Sequence, residues 1–193
     1  RIHLTQVGEF VKEEIQKNSP NKTGYRAAEK VMGNVRTAIY WLDKQGYLGD
    51  FTPPHLSVEI INVKRDRVLD NGEIRKLWNG LGEGKFDDIV RLLLLTGQRR
   101  DEVAGMRWSE LGDLGIKEWS LPGERTKNSL PHIVPLSDLT VSIINRQKKI
   151  GDCDFVFTTT GRSGFSSYSQ SKKRLDDKLD LEKWTLHDLR RTF

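Results

Sequence analysis

Apolar positions near the start of the chain recur at helical spacing. Val7, Phe10, Val11 and Ile15 mark one face of a first helix, and Ser19-Pro20-Asn21 breaks it. A second helix is predicted from about Tyr25 to Gln45. Its apolar stripe is Ala28, Val31, Met32, Val35, Ala38, Ile39 and Leu42, and Gly46 is placed to end it. From Asp50 to Lys64 the alternation is loose and Pro53-Pro54 interrupts it, which suits an extended linker and sets the domain boundary there.

The pattern then tightens. Asp70-Asn71-Gly72-Glu73 has the spacing of a capping box and opens a helix carrying Ile74, Leu77 and Trp78. Phe86, Ile89, Val90 and Leu92 to Leu95 make the next helix apolar almost all round, so it should form the buried centre of its domain and stop near Thr96-Gly97. A helix from about Arg100 to Met106 is followed by two short strands, Glu118 to Leu121 and Ile133 to Leu136, expected to pair as a hairpin. Ser137 can cap a helix running through Ile143, Ile144 and Lys148; Phe155-Val156-Phe157 is a short buried segment, and Thr158 to Ser167 a polar loop. Helices from about Ser169 to Leu179 and from Thr185 onward complete the series, the last opening on a second capping-box pattern, Thr185-Leu186-His187-Asp188. The fold class read from these elements is mainly α with a small β-hairpin.

Composition bounds the function. At 193 residues, 36% apolar and 31% charged, the chain suits one large domain or two small ones. Its longest aliphatic run, Leu92 to Leu95, falls far short of the roughly 20 apolar residues of a membrane-spanning helix. A single cysteine, Cys153, excludes an intrachain disulfide and a Cys-rich metal site and makes the cytoplasm the default compartment. The start, Arg1-Ile2-His3-Leu4, has neither an initiator Met nor a signal peptide, so an internal piece of a longer protein is expected. A formal charge of +5 and a pI near 9.3 lean toward polyanionic partners.

Three local features carry chemistry. Thr185 as N-cap puts His187 in the first turn of the last helix, with Arg190 three positions on along the same face. A helix N-terminus with an added imidazole and guanidinium suits one phosphate. In Thr96-Gly97-Gln98-Arg99-Arg100-Asp101-Glu102, Glu102 is spaced to hold the fork of Arg99 and leave its other donors for a phosphate oxygen, while Arg100 should face elsewhere. Lys127 lies between the predicted strands, where a flexible ammonium could reach into a cleft. Each feature alone also suits a bland reading: a capped helix, a surface ion pair, a solvated lysine.

Taken together and in order, they resemble the catalytic domain of the tyrosine recombinases, the phage integrase family, and most closely the integrases of prophages and genomic islands. The resemblance covers Arg67 to Phe193. It rests on Leu94-Leu95-Thr96-Gly97-Gln98-Arg99, Met106-Arg107-Trp108-Ser109-Glu110-Leu111, Arg125-Thr126-Lys127, Pro131-His132-Ile133-Val134-Pro135-Leu136-Ser137 and Leu186-His187-Asp188-Leu189-Arg190-Arg191. It implies a domain plan of a partial helical, SAM-like core-binding domain over 1–50, a linker over 51–66 and a catalytic domain over 67–193, truncated at its C-terminal side. It also implies an enzyme that breaks and rejoins double-stranded DNA through a 3′-phosphotyrosyl link, with no metal and no cofactor. Arg99 and Arg190 match the arginines that stabilise the transition state, Lys127 the general acid toward the leaving 5′-oxygen, His187 the histidine assisting proton transfer, and Glu102 the acidic support of the first arginine. Arg191 should face another side.

The family pattern continues past the helix of His187 and Arg190 to a nucleophilic tyrosine. Tyr25, Tyr40, Tyr47 and Tyr168 all precede His187, and none matches that position, so no nucleophile is expected in this chain. The resemblance further implies a homotetramer on DNA for the parent protein, accessory DNA-bending proteins as partners, a cytoplasmic, nucleoid-associated location and no membrane. Two rival readings differ in class. One is a non-catalytic, architectural DNA binder on the same scaffold. The other is a metal-dependent nuclease, disfavoured because His3, His55, His132 and His187 show no paired ligand spacing.

Overall fold

A computed structural model describes residues 4–18, 25–49 and 66–193. The chain divides into two compact units, Arg1–Arg65 and Asp66–Phe193. In the first, helices α1 (Leu4–Asn18) and α2 (Tyr25–Lys44) pack on one another. Ala28 and Met32 are fully buried, whereas Ala38 at the far end of the predicted stripe is exposed. Gly46 follows α2 with φ +75°, the left-handed geometry that lets the chain turn away from a helix. The linker expected at 50–64 lies outside the described residues.

The second unit is built around α4. Helix α3 (Asn71–Gly80) starts as its capping box dictates: the Asp70 carboxylate accepts the Glu73 N–H at 2.8 Å, and the Glu73 carboxylate accepts the Asp70 N–H at 3.0 Å. Helix α4 (Lys85–Thr96) buries Phe86, Ile89, Val90, Leu92 and Leu93, as its apolar run requires. It also buries Asp88, whose carboxylate accepts from Arg91 at 3.0 Å, from Arg146 Nε at 3.0 Å and from Gln147 at 2.6 Å, so the charge is met by cations from two elements. Helix α5 (Arg100–Ala104) is shorter than expected, because the chain leaves helical geometry at Gly105.

Strands β1 (Glu118–Leu121) and β2 (His132–Pro135) pair antiparallel, Trp119 opposite Val134, and send these two residues and Leu121 into the core. The second strand begins one residue earlier than its apolar pattern indicates. Ser137 caps α6 (Asp138–Asn145) with its hydroxyl on the Thr140 N–H at 3.2 Å, and that helix ends short of Lys148. Val156 and Phe157 are buried as predicted. The following loop is less polar in its packing than in its composition: Thr158 is fully buried and Phe165 packs against the core. Helix α7 (Tyr168–Lys178) follows. Helix α8 (Leu186–Thr192) packs on α4 and buries Leu189. The architecture is therefore mostly helical with one two-stranded antiparallel sheet.

Candidate active site

The site grows from the stop of α4. Thr96 bends its hydroxyl back onto the Leu92 carbonyl at 2.6 Å, and Gly97 takes φ +61°, which ends the helix and turns the chain at once. Arg99 thereby becomes the N-cap residue of α5. Glu102, in the first turn of that helix, is 3% exposed. Its carboxylate accepts the Arg99 backbone N–H and the Arg99 Nη1, each at 2.8 Å. One buried carboxylate thus fixes both the backbone and the guanidinium of Arg99, while a third of that side chain stays open to solvent.

Arg190 arrives from α8, far along the chain. Its Nη1 lies 4.0 Å from Glu102 Oε2, the oxygen that accepts the Arg99 backbone N–H, and is buried without a hydrogen-bond partner. Glu102 therefore sits between two guanidinium groups. Helix α8 is held in place by Asp188, fully buried, whose carboxylate accepts the Thr185 N–H at 2.8 Å and Arg191 Nη1 at 2.7 Å. Arg191 is in this way paired with Asp188 on its own helix. The Thr192 hydroxyl accepts the Leu69 N–H at 3.0 Å and so ties α8 to the segment before α3. His187, one turn before Arg190, is exposed and lines a cavity of about 550 Å³ together with Arg99.

Of the five residues singled out in the sequence, Arg99, Glu102 and Arg190 come together, and His187 shares a cavity with Arg99. Lys127 is exposed on the turn between β1 and β2, with no side-chain hydrogen bond or ion pair to the described residues. Its hairpin does touch the Arg99 segment. Arg125 Nη2 donates to the Glu102 carbonyl at 2.8 Å, and His132 Nε2 lies 3.1 Å from Gln98 Oε1.

The cavity also holds residues that sequence reasoning passed over. Arg100, expected to face elsewhere, lines it: the Asp101 carboxylate takes its Nε at 2.7 Å and Nη2 at 3.0 Å, and the Tyr168 ring lies 4.9 Å from its guanidinium carbon. Lys172 stands 3.8 Å above the Trp184 ring. Burial, helped by Asp101 and opposed by Arg100, pushes the Tyr168 phenol up to about 12. The adjacent arginines were visible as a pair, but nothing local in the sequence announces that α7 delivers Tyr168 and Lys172 to them. Among the described residues, no three His, Cys, Asp or Glu side chains are grouped so as to hold a metal ion. No described helix is long and apolar enough to cross a membrane.

Residues 68–193 match the phage integrase family. The chain belongs to that family. Among curated members, the prophage integrase IntF of Escherichia coli K12 is 32% identical over 191 residues, covering 92% of this chain and 40% of that protein. The chain thus spans less than half the length of this integrase relative. Among solved structures, a lambda integrase tetramer bound to a Holliday junction superposes with a TM-score of 0.71 at 17% identity, over 99% of this chain and 58% of that one. The Tn1549 transposon integrase in complex with circular intermediate DNA gives 0.65 at 17% identity, over 100% and 71%. At these identities the likeness is one of fold, and it extends to the tyrosine recombinase catalytic domain.

Proposed function

We propose that this chain supplies the phosphate-activating site of a site-specific DNA recombinase. In the reaction, a tyrosine hydroxyl attacks a phosphodiester of duplex DNA. The new bond joins the tyrosine oxygen to phosphorus, the bond to the 5′-oxygen breaks, and the 3′-phosphate stays on the protein. Arg99 and Arg190 stabilise the extra negative charge on the pentacoordinate phosphorus. Lys127 donates a proton to the leaving 5′-oxygen and His187 receives the one lost by the attacking hydroxyl. Rejoining reverses these steps on the partner strand, so no energy cofactor and no metal take part.

The observation that carries this reading is the buried Glu102 carboxylate flanked by two arginines from remote segments, with His187 open to the same cavity as Arg99. A binder that only neutralises phosphate needs charge but not a shared buried carboxylate. We assign none of Tyr25, Tyr40, Tyr47 and Tyr168 as nucleophile. The place of Tyr168 supports this, since its half-buried ring is engaged by the Arg100 guanidinium, 4.9 Å away. The helices of residues 4–49 are read as the end of a core-binding domain. Double-stranded DNA is the partner, with a tetramer of the parent protein assembled on two sites.

The test is Arg190→Ala in the gene product that carries this chain, assayed on a suicide DNA substrate. Covalent cleavage should fall by about 10²–10³, while duplex affinity changes only a few-fold, as for loss of about one phosphate contact. Equal loss of both favours the architectural binder. Residues 1–193 alone should form no covalent adduct; an adduct would place the nucleophile within them.

A further inference from the structure

Arg125 precedes Lys127 by two residues and is the one charged side chain of the β1–β2 connection that turns inward. Its side chain is 16% exposed and its guanidinium forks two ways. Nη1 donates to the Glu110 carboxylate, and Nη2 donates to the Glu102 carbonyl at 2.8 Å. Glu110 is itself buried and gathers two more donors, Trp119 Nε1 at 3.0 Å and the Arg107 N–H at 3.1 Å. The fork passes over Gly105. A Cβ there would stand 2.8 Å from Arg125 Nη2 and 2.9 Å from the Asp101 carbonyl, so the helix end carrying Glu102 is left bare where the guanidinium crosses it. Beyond Arg125 the turn is closed on itself: the Thr126 hydroxyl lies within hydrogen-bond reach of the carbonyls of Gly123 (3.1 Å) and Leu130 (2.9 Å), either of which can take its one proton, and the Ser129 N–H donates to the Thr126 carbonyl at 3.2 Å.

We propose that Arg125, locked by Glu110, is a positioning residue that registers the turn of Lys127 against the helix carrying Arg99 and Glu102. The inference rests on the reading of Lys127 as the general acid. A largely enclosed arginine with partners on both terminal nitrogens is a costly way to hold an ordinary surface turn. Its second branch reaches out of its own hairpin to the carbonyl of Glu102, the residue whose carboxylate holds Arg99. The α5 side of this contact is already fixed by the Glu102–Arg99 bonds, so the part left to be placed is the turn. Lysine in place of Arg125 keeps the charge but cannot span both acceptors at once.

Two measurements decide it. The first uses the gene product that carries this chain on two suicide substrates, one with the natural 5′-oxygen at the scissile phosphate and one with sulfur bridging at that position. A 5′-thiolate leaves without protonation. Arg125→Lys should lower cleavage of the oxygen substrate by about 10–100-fold and lose little on sulfur, following the pattern of Lys127→Ala. Undiminished cleavage of oxygen, or equal loss on both, overturns the assignment.

The second follows amide hydrogen exchange in residues 1–193, where Arg125→Lys should speed exchange at Ser129 and leave α4 protected. Should Lys127→Ala show no sulfur rescue, the acid role falls. The clamp is then judged on exchange alone: faster exchange at the turn supports it and unchanged exchange overturns it. If Arg125→Lys fails to fold, Glu110→Gln, which keeps an acceptor for Trp119 while weakening the lock, carries both measurements.

Discussion

Glu102 holds its place through local geometry and does its work through remote geometry. Its spacing of three residues from Arg99 is a helical-turn relation, so that pairing is readable in the chain itself. The approach of Arg190 is not, because it depends on how α8 lies on α4. Replacing Glu102 by alanine removes two charge-assisted hydrogen bonds and leaves the backbone donor of Arg99 without its cap. Unfolding by denaturant should show a loss of about 2–3 kcal/mol, and a loss below about 0.5 kcal/mol would mean that the carboxylate does not anchor the site. Tyr168 offers a second check. With its folded pKa raised to about 12 from 10.0, the folded state keeps the phenolic proton that the unfolded state releases first. The stability from this group is therefore fully present below pH 10 and is lost as pH rises through about 12. An ultraviolet titration of wild type against Tyr168→Phe should remove a phenol that titrates well above 10.0, and removal of one titrating near 10.0 would show that the ring is not shielded from solvent. The variant should leave cleavage intact.

The elements were legible where a local rule sets them. Asp70 and Glu73 fixed the start of α3, Ser137 that of α6, and Gly97 the stop of α4, since each acts through its own neighbours. What escaped depends on packing. The short α5 ends at Gly105 where Arg125 crosses, and Phe165 and Thr158 are buried by a core that the loop composition does not reveal. Gly97 joins both kinds of cause. Its φ of +61° disfavours any side chain, and a Cβ would stand 2.3 Å from the ring of Phe193. Gly97→Ala should thus cost about 1–2 kcal/mol from the backbone alone, seen as a lowered midpoint of denaturation, with cleavage falling further because Arg99 lies two residues on. An unchanged midpoint would mean that the turn can adopt another geometry at no cost.

At the scale of the molecule, the second unit has a hydrophobic cluster of its own, which runs from Leu69 to Leu189 and draws on every helix from α3 to α8. Burial of that kind is what independent stability requires, so residues 66–193 expressed alone should unfold in one cooperative transition. The reading of the first unit as the end of a core-binding domain makes a further demand. Residues 1–65 bring Lys12, Lys17, Lys30, Arg36 and Lys44 among their cations to a chain of net charge +5. Each phosphate contact releases counterions and adds about 0.9 to the slope of log affinity against log salt. Duplex binding by residues 66–193 should therefore be weaker than binding by 1–193 and less steep in salt, by roughly the number of phosphates that the first unit contacts. Fluorescence anisotropy over a salt series measures both quantities. Equal slopes would mean that the first unit adds no phosphate contacts, and the core-binding assignment of α1 and α2 would then fail while the site around Glu102 stood untouched.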